Sequence, residues 1–281
     1  KTGMANRCVH MGTRVFGSAE PETRARGCLM VILSFGGGTN STALLVEMRE
    51  RGEPVDLILF ADTGGERPET YAYMQTIGAW LESNGMPQIT IVRKAGNGET
   101  LEENCLRKNM LPSLAYGFKS CSQKFKIAPQ DKFCNNHPDV RAAWAQGETV
   151  TKLIGYDADE SHRWHGKSFD TPKYSFRAPL VEWDMGRDEC VRSIQRAGLP
   201  LPGKSSCFFC PASRKPEILD LAAKHPGLMQ RALAMEANAE LTSVKGLGRR
   251  FAWADVIKSA ADEVGLFAPA IDCGCYDGAG E

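Results

Sequence analysis

The chain has 281 residues, of which 42% are hydrophobic and 24% are charged, values typical of a globular protein. Its formal net charge is zero, so no overall attraction to nucleic acid or to an anionic membrane is expected. No apolar run reaches membrane-spanning length and the first residues lack a signal peptide's apolar core. We therefore expect a cytoplasmic protein without a membrane partner.

Ten cysteines are a high number for a cytoplasmic chain. In a reducing compartment, clustered cysteines indicate metal or thiol chemistry more often than disulfides. A secreted protein with a disulfide framework is the competing interpretation. The lack of a signal sequence and the α/β pattern described below argue against it.

A glycine-rich segment follows the first predicted strand. Residues 1–28 show no clear periodicity and are predicted to form a lead-in, whereas the apolar run 29–33 predicts a buried strand. Residues 34–42 are rich in glycine and hydroxyl side chains, and a helix is predicted from Ala43. Glycines let amides approach phosphate oxygens, and a helix start offers unpaired N–H groups. The pattern predicts an anion-binding loop, with an ordinary glycine-rich turn as the alternative.

Two further strands follow this loop. Residues 55–61 predict a strand that ends in the acidic stretch 62–66, and Pro68 opens a predicted helix. A third strand is predicted over 89–93. Strands that alternate with helices indicate an α/β fold with a doubly wound parallel sheet. Because ligands bind at the carboxyl ends of such strands, 34–41 and 62–66 are expected to face one pocket.

The second half of the chain is less regular. A fourth strand is predicted over 150–155, and 179–201 is predicted to hold a strand end followed by a helix. Two more helices are predicted over 216–225 and 227–242. We divide the chain into a lead-in, a nucleotide-binding domain and a smaller helical, cysteine-bearing region, with the bounds 1–28, 29–200 and 201–281.

The glycine-rich loop resembles a known phosphate-binding pattern. It has neither the Gly-Lys-Ser/Thr ending nor the dinucleotide spacing of the two common signatures. It resembles the pyrophosphate loop (PP-loop) of the adenine nucleotide alpha-hydrolase superfamily, Ser-Gly-Gly-x-Asp-Ser-Thr, whose members typically split ATP between the alpha and beta phosphates. Gly36 and Asn40 replace the first Ser and the Asp of that pattern. The matching residues are Gly37, Gly38, Ser41 and Thr42.

Further segments resemble one branch of that superfamily, the phosphoadenosine phosphosulfate (PAPS) reductase-like proteins. They occur in the same order as in that branch, over roughly residues 29–215, and the ordered set is more specific than any single match. The segments are 60–70, 119–129, 155–163, 179–183 and 199–210. The Ser-Phe-Gly-Gly-Gly opening and the Cys-Phe-Phe-Cys-Pro segment look closest to the DNA-phosphorothioation sulfurtransferases.

The resemblance implies a nucleotide site. The amides of the glycine loop would hold the beta and gamma phosphates of ATP, and hydroxyl side chains would add donors. The implied nucleotide-binding residues are Ser34, Gly36, Gly37, Gly38, Asn40, Ser41, Thr42, Asp62, Thr63, Gly155 and Glu160. Asp62 with Glu66, or Glu160, would hold Mg²⁺ through carboxylate oxygens.

The resemblance also implies catalytic residues, namely Asp62, Lys124 and Arg163. Lys124, Lys126 and Arg163 would neutralise charge on the departing pyrophosphate. Each of these cations is alternatively a surface charge. The three acids, Asp62, Glu66 and Glu160, are alternatively residues of a solvated loop or of a helix cap. Lys119, Lys124 and Lys126 also form a candidate local basic patch.

The cysteine spacing predicts a metal centre. Cys207 and Cys210 form a Cys-x-x-Cys pair, a spacing that lets both sulfurs reach one centre. The resemblance implies Cys121 as a third ligand of a [4Fe–4S] cluster whose open iron binds and delivers sulfide, and zinc is the alternative metal. The candidates for a fourth ligand are Cys105, Cys273 and Cys275. Simple buried thiols are expected for Cys8, Cys28, Cys134 and Cys190.

The implied function is an ATP pyrophosphatase that activates a nucleic-acid oxygen for sulfur insertion. DNA phosphorothioation is the nearest reaction in this resemblance, and tRNA thiolation is a related one. The implied partners are ATP, a sulfur donor such as a cysteine desulfurase, and DNA or tRNA reached through partner subunits.

Two other functions remain open at this point. The first is a sulfonucleotide reductase that attacks PAPS, or its unphosphorylated analogue, with Cys273 or Cys275. Their Asp-Cys-Gly-Cys-Tyr setting matches the expected Glu-Cys-Gly-x-His only in part. The second is a non-catalytic nucleotide-binding subunit of a modification complex.

Overall fold

The computed structural model describes residues 30–94, 98–112 and 120–267. Within them, five strands form one parallel sheet. The strands are β1 (Val31–Phe35), β2 (Leu57–Ala61), β3 (Ile89–Val92), β4 (Val150–Leu153) and β5 (Tyr174–Arg177). Their order across the sheet is β3-β2-β1-β4-β5. The predicted doubly wound parallel α/β sheet is therefore confirmed.

The helices of the described residues cover both faces of this sheet. In chain order they are α1 (Thr39–Glu50), α2 (Pro68–Ser83), α3 (Leu101–Arg107), α4 (Ser120–Ser122), α5 (Ala128–Asn136), α6 (Pro138–Ala145), α7 (Pro179–Glu182), α8 (Arg187–Arg196), α9 (Lys215–Lys224), α10 (Pro226–Asn238) and α11 (Trp253–Phe267). A π-helical segment, Gln123–Ile127, joins α4 to α5, and two 3₁₀ helices span Ala158–Arg163 and Gly166–Phe169. None of these helices is both long and apolar enough to cross a membrane.

The sheet order creates a crevice between β1 and β4. The chain runs from β1 outward to β2 and β3 on one side, and then returns to β4 on the other side of β1. The connections that leave β1 and β4 therefore run in opposite directions across the sheet, the first toward β2 and the second toward β5. In open α/β sheets ligands bind at such a switch point, beyond the carboxyl ends of the strands.

Both faces of the sheet are buried, which explains the nearly continuous apolar runs of the strands. Side chains of adjacent strand residues point to opposite faces. Leu33 accordingly packs with Leu44 in one apolar cluster, and Ile32 packs with Val140 in another. The first cluster holds residues of α1, α2 and α8, whereas the second holds residues of α5 and α6.

A third apolar cluster joins the C-terminal helices to the rest of the molecule. Ile218 of α9 and Trp253 of α11 pack with Leu101 of α3 and with Phe125 of the π segment. Residues beyond 200 therefore share a core with residues that precede β4. The division of the chain at residue 200 stays a prediction.

The first four predicted strands agree with β1 to β4 to within about two residues at each end. The prediction of a strand end at 179 is wrong, because Pro179–Glu182 is the short helix α7 and the strand β5 lies just before it. Pro179 stands at the first position of that helix, where its missing N–H costs nothing. The predicted helices 216–225 and 227–242 correspond to α9 and α10.

A buried carboxylate ties α1 to α8. Glu47 is 4% exposed and accepts hydrogen bonds from Arg51 Nε at 2.9 Å, Ser193 Oγ at 2.7 Å and Arg196 Nη2 at 2.7 Å. Burial would raise the pKa of Glu47, but the bonds from Ser193 and the two arginines outweigh it and hold this pKa below its usual value. The ionised carboxylate is therefore the form that the fold stabilises.

We predict that Glu47→Gln lowers the free energy of unfolding by about 2–3 kcal/mol at pH 7, because hydrogen bonds to a charged acceptor are lost. The pKa of Glu47 is lower in the folded than in the unfolded chain, where it is about 4.3. Its contribution is therefore present above pH ~4.3 and is lost as pH falls through the lower folded value. Urea unfolding of wild type and variant at pH 7 and pH 3 measures both effects.

Glu50→Gln is the matched control, since Glu50 lies on the same helix in a more exposed position. It should change the free energy of unfolding by no more than about 0.5 kcal/mol. Equal losses in the two variants, or a Glu47→Gln loss that persists undiminished at pH 3, would contradict the role of the buried carboxylate.

Candidate functional site

The loop between β1 and α1 needs glycine at two positions for different reasons. Gly37 has a φ of +71°, and a Cβ there would lie 3.0 Å from Thr70 Cγ2. Gly38 has an ordinary φ, but a Cβ there would collide with Ser205 Oγ. Two constraints therefore fix the loop: the positive φ of Gly37, and the close contact between Gly38 and Ser205.

The loop after β4 approaches the same helix start. A Cβ at Gly155 would lie 3.2 Å from both the N and the Cα of Ser41, closer than side chains normally pack. Gly155 thus allows the end of β4 to lie directly against the first turn of α1. This contact brings the two diverging loops of the switch point together.

The first turn of α1 is suited to an anion. Its N-cap residue is Gly38, which has no side chain to accept from the first N–H groups, and the turn has no acidic residue. Ser41 Oγ bonds only locally, to the N and the O of Gly38. The N–H groups and the positive end of the helix dipole are therefore left to a ligand.

A cleft of about 730 Å³ opens in front of this helix start. It brings together eight residues predicted from the sequence: Ser34, Gly36, Gly38, Asn40, Ser41, Gly155, Glu160 and Arg163. The remaining lining residues are Thr39, Arg187, Pro202, Gly203, Lys204, Ser205 and Glu217. Two predicted residues lie behind the loop, since Gly37 packs against Thr70 and Thr42 is fully buried.

Polar side chains cross the cleft in a connected network. Asn40 donates from Nδ2 to Glu160 Oε2 at 3.2 Å and accepts at Oδ1 from Arg187 Nη1 at 2.8 Å. Glu160 also pairs with Arg163, whose guanidinium lies 4.4 Å from the ring centroid of Tyr156. The cleft therefore presents both a carboxylate and cations near the glycine loop.

Asp62 does not lie where the sequence predicted. Its carboxylate accepts from Gly64 N at 2.8 Å, from Tyr71 Oη at 2.8 Å, and from Arg93 Nε at 2.9 Å and Nη2 at 2.7 Å. Burial would raise the pKa of Asp62, but these hydrogen bonds outweigh it and hold this pKa below its usual value. Because the carboxylate is already saturated and does not line the cleft, the geometry gives Asp62 a structural role rather than contact with nucleotide or Mg²⁺.

The acidic stretch after β2 faces a second site, centred on Cys207, instead of the cleft. Thr63 Oγ1 lies 3.1 Å from Cys207 Sγ, and Glu66 Oε1 lies 3.8 Å from the same sulfur. Glu66 Oε1 is also 3.3 Å from Lys126 Nζ, and its second oxygen is buried with no partner among the described residues. The predicted single pocket for 34–41 and 62–66 is thus two neighbouring sites.

The predicted roles of Lys124 and Lys126 at the pyrophosphate do not agree with their positions. Lys124 is exposed on the π segment and does not line the cleft. Lys126 is half-buried and pairs with Glu66; burial would lower the pKa of Lys126, but the carboxylate outweighs it and holds this pKa above its usual value. Lys119 lies outside the described residues.

Among the described residues, four free thiols lie in or beside the third apolar cluster, and we call them the thiol group: Cys105, Cys121, Cys207 and Cys210. Burial raises the pKa of Cys207 well above its usual value, and the Glu66 carboxylate adds to this rise. Burial also raises the pKa of Cys210, and of Cys105 to about 12, and the nearby Cys121 adds to both. Cys134 and Cys190 are buried elsewhere in the core, as predicted, whereas Cys8, Cys28, Cys273 and Cys275 lie outside the described residues.

The thiol group suits a thiolate-bound centre in its chemistry, since soft sulfur ligands are what zinc and iron–sulfur clusters take. Burial favours the protonated form of these thiols. They would therefore release their protons when a metal ion binds to the sulfur atoms. As placed, however, no three His, Cys, Asp or Glu side chains of the described residues form a group that could hold a metal ion. The donors are neighbours without being assembled as ligands.

One segment connects the cleft to the thiol group. Ser205 packs on Gly38 at the cleft, and two residues later Cys207 pairs its backbone with Glu66. Phe208 N donates to Gly65 O at 2.8 Å, which fixes the segment against the end of β2. Two residues span no more than about 7 Å, so the first thiol lies within reach of the glycine loop.

Among the cleft residues that the sequence missed, the three charged ones are Arg187, Lys204 and Glu217. Lys204 lies in the glycine- and serine-bearing stretch before Cys207, so its composition could have suggested a ligand-facing loop. Arg187 and Glu217 stand in the first turns of α8 and α9, where no local pattern distinguishes them from ordinary helix-end charges.

Comparisons with known proteins give weak similarities. No protein-family model matches the chain. Over 220 residues it is 26% identical to the uncharacterized nin region protein ORF290 of Escherichia phage lambda, and the match covers 71% of each chain. The solved structure of the U34-tRNA thiolase NcsA from Methanococcus maripaludis, with its [4Fe-4S] cluster, aligns with 74% of this chain and 72% of the thiolase chain, at 15% identity and a TM-score of 0.41. Neither similarity is strong enough to place the chain in a family.

We predict that Lys126→Met lowers the free energy of unfolding by about 1–3 kcal/mol, because it leaves the buried Glu66 carboxylate without its cation. Lys124→Met is the matched control, since Lys124 is exposed two residues away in the same segment. Urea unfolding at pH 7 measures both. The double variant Glu66→Gln/Lys126→Met should recover part of the loss, and equal stability of the Lys126 and Lys124 variants would refute the pairing.

Proposed function

We propose that the chain is a member of the adenine nucleotide alpha-hydrolase superfamily, and that it splits ATP into AMP and pyrophosphate to activate an oxygen for sulfur insertion. The observation that carries this proposal is the segment that runs from Ser205, against the glycine loop, to Cys207 in the thiol group. A nucleotide site and a sulfur site that share one wall suit a reaction in which an oxygen is first activated and then replaced by sulfur.

In this proposal the cleft binds the nucleotide. The unpaired N–H groups at the start of α1 hold the phosphates, and Ser41 and Thr39 are placed beside them. Arg163 and Lys204 face the same space and would stabilise charge that develops on the leaving pyrophosphate. Of the acids considered for Mg²⁺, Glu160 is the one that lines the cleft, so it is the proposed protein ligand.

The reaction has two steps. An oxygen of the acceptor attacks the alpha phosphorus of ATP; the bond from that phosphorus to the bridging oxygen breaks, and pyrophosphate leaves with the electron pair. A sulfur nucleophile at the oxidation level of sulfide then attacks the carbon or phosphorus atom of the acceptor to which the adenylylated oxygen is bonded. AMP departs with the former acceptor oxygen, and sulfur takes its place without net oxidation or reduction.

The thiol group would supply the sulfur site. Cys121, Cys207 and Cys210 are the proposed ligands of an iron–sulfur cluster, with zinc as the alternative metal. Cys105 is the described candidate for a fourth ligand. With Cys121, Cys207 and Cys210 alone as its ligands, a bound cluster would supply the sulfide for the second step. The chain's own contribution is to surround the thiols with apolar side chains and to set the Glu66–Lys126 pair beside Cys207.

For the acceptor we propose a nucleic acid, and DNA phosphorothioation as the particular reaction. The support is the motif resemblance of the glycine loop and of the Cys-Phe-Phe-Cys-Pro segment. The zero net charge offers no general attraction to a polyanion, so partner subunits would bring the DNA or tRNA. A cysteine desulfurase is the proposed class of sulfur donor.

We predict that the anaerobically purified chain with Mg²⁺ and alpha-labelled ATP releases AMP and pyrophosphate in equal amounts. Gly37→Asp should abolish release and nucleotide binding, because a side chain is strained where φ is +71° and its Cβ would press on Thr70 behind the loop, which deforms the phosphate-binding backbone. Gly52→Asp, also at a positive φ but with open space around it, controls for backbone strain. Sulfite formed from PAPS without ATP cleavage would instead indicate a reductase, and no turnover of either compound would indicate a non-catalytic subunit.

We predict that anaerobic reconstitution with iron and sulfide gives a brown protein whose iron and absorbance disappear in Cys207→Ser/Cys210→Ser. Cys134→Ser/Cys190→Ser is the matched control, since these thiols are buried away from the thiol group. Iron content and visible absorbance measure the outcome independently of activity. Full iron and colour in the Cys207/Cys210 variant would remove these residues as ligands.

A further inference from the structure

The three cations of the cleft differ in what neutralises them. Two are each held by a carboxylate of the cleft, in the pairs Arg163–Glu160 and Lys204–Glu217. The third, Arg187, donates instead to the neutral side-chain amide of Asn40 at 2.8 Å. Among the described residues, Arg187 takes part in no ion pair.

The charge balance of the cleft therefore depends on Arg187. The lining residues include three cations and two carboxylates, which leaves one uncompensated positive charge. Since both carboxylates are paired with the other two cations, that charge is the Arg187 guanidinium. A guanidinium that forms no ion pair among the described residues and lies beside a glycine loop is an anion-binding feature.

Arg187 is held in place without being neutralised. It is the first residue of α8, and its backbone N–H donates to Asp159 Oδ2 at 2.8 Å. Its side chain is fixed by Asn40, which belongs to the first turn of α1 and lies two residues after Gly38. The guanidinium is thus directed to the helix start at which the phosphates are proposed to bind.

An amide at position 40 is needed for this arrangement. Asn40 donates to Glu160 with its nitrogen and accepts from Arg187 with its oxygen. An aspartate could accept from Arg187, but it would pair with this cation and place a carboxylate about 3 Å from Glu160, where like charges repel. Asn40 therefore orients Arg187 and keeps its charge available.

We infer, on the basis of the proposed function, that Arg187 binds the polyphosphate of the nucleotide and that Asn40 is its positioning residue. The ligand class is a nucleoside triphosphate or its product, pyrophosphate. The assignment extends the set of phosphate ligands beyond the glycine loop to the start of α8, which also lines the cleft.

Titration calorimetry of the full chain with ATP and, separately, with inorganic pyrophosphate tests this inference. Arg187→Ala should raise the Kd for both ligands at least tenfold, and Arg187→Lys should recover part of the loss. Arg192→Ala is the matched control on the same helix, where Arg192 pairs with Glu189, and it should leave the Kd within twofold. Asn40→Asp should raise the Kd about fivefold or more, and by a smaller factor in the Arg187→Ala background.

Unchanged binding in Arg187→Ala, tighter binding in Asn40→Asp, or no binding of either ligand by wild type would overturn the inference. Failure of the proposed function is a separate result. A wild-type chain that binds pyrophosphate through Arg187 but does not cleave ATP refutes the function and retains the inference. If the chain cleaves ATP but Arg187→Ala leaves the Kd for ATP and pyrophosphate unchanged, the inference is refuted and the proposed function is retained.

Discussion

The site depends on close backbone approaches to the first turn of α1. Gly155 at the end of β4 and Gly38 in the loop after β1 each lie where a Cβ would meet a neighbouring atom, Ser41 in one case and Ser205 in the other. These contacts bring two diverging loops and the C-terminal region around one helix start. A side chain at either position would push a wall of the cleft away from the N–H groups that it encloses.

The buried acids Glu47, Asp62 and Glu66 differ in whether both of their carboxylate oxygens are hydrogen-bonded. Glu47 and Asp62 are buried, ionised and saturated with donors, so they hold elements together rather than act on a ligand. Glu66 differs, because one of its oxygens has no partner in the described part of the chain. It stands beside Cys207, at the junction of the cleft and the thiol group, where an incomplete hydrogen-bond set is most easily explained by a function.

Much of this architecture could be predicted from the sequence, because its strands and loops have recognisable patterns over short stretches of residues. A continuous apolar run such as 29–33 and a glycine-rich turn before a helix define the strand and the loop without further information. β5 was missed because Tyr174–Arg177 is a short edge strand, three of whose four residues are only half-buried, so it has no continuous apolar signal. The roles of Asp62 and Arg187 depend on Arg93 and Asn40, which lie 31 and 147 residues away in the chain, and no local spacing encodes such partners.

The most direct test of the account is a crystal structure of the chain with Mg²⁺ and a non-hydrolysable ATP analogue. The account predicts phosphate density against the amides of Gly36 to Gly38 and the start of α1, with Arg187 in contact. Phosphates bound elsewhere, or a cleft that excludes the analogue while the glycine loop keeps its conformation, would contradict it.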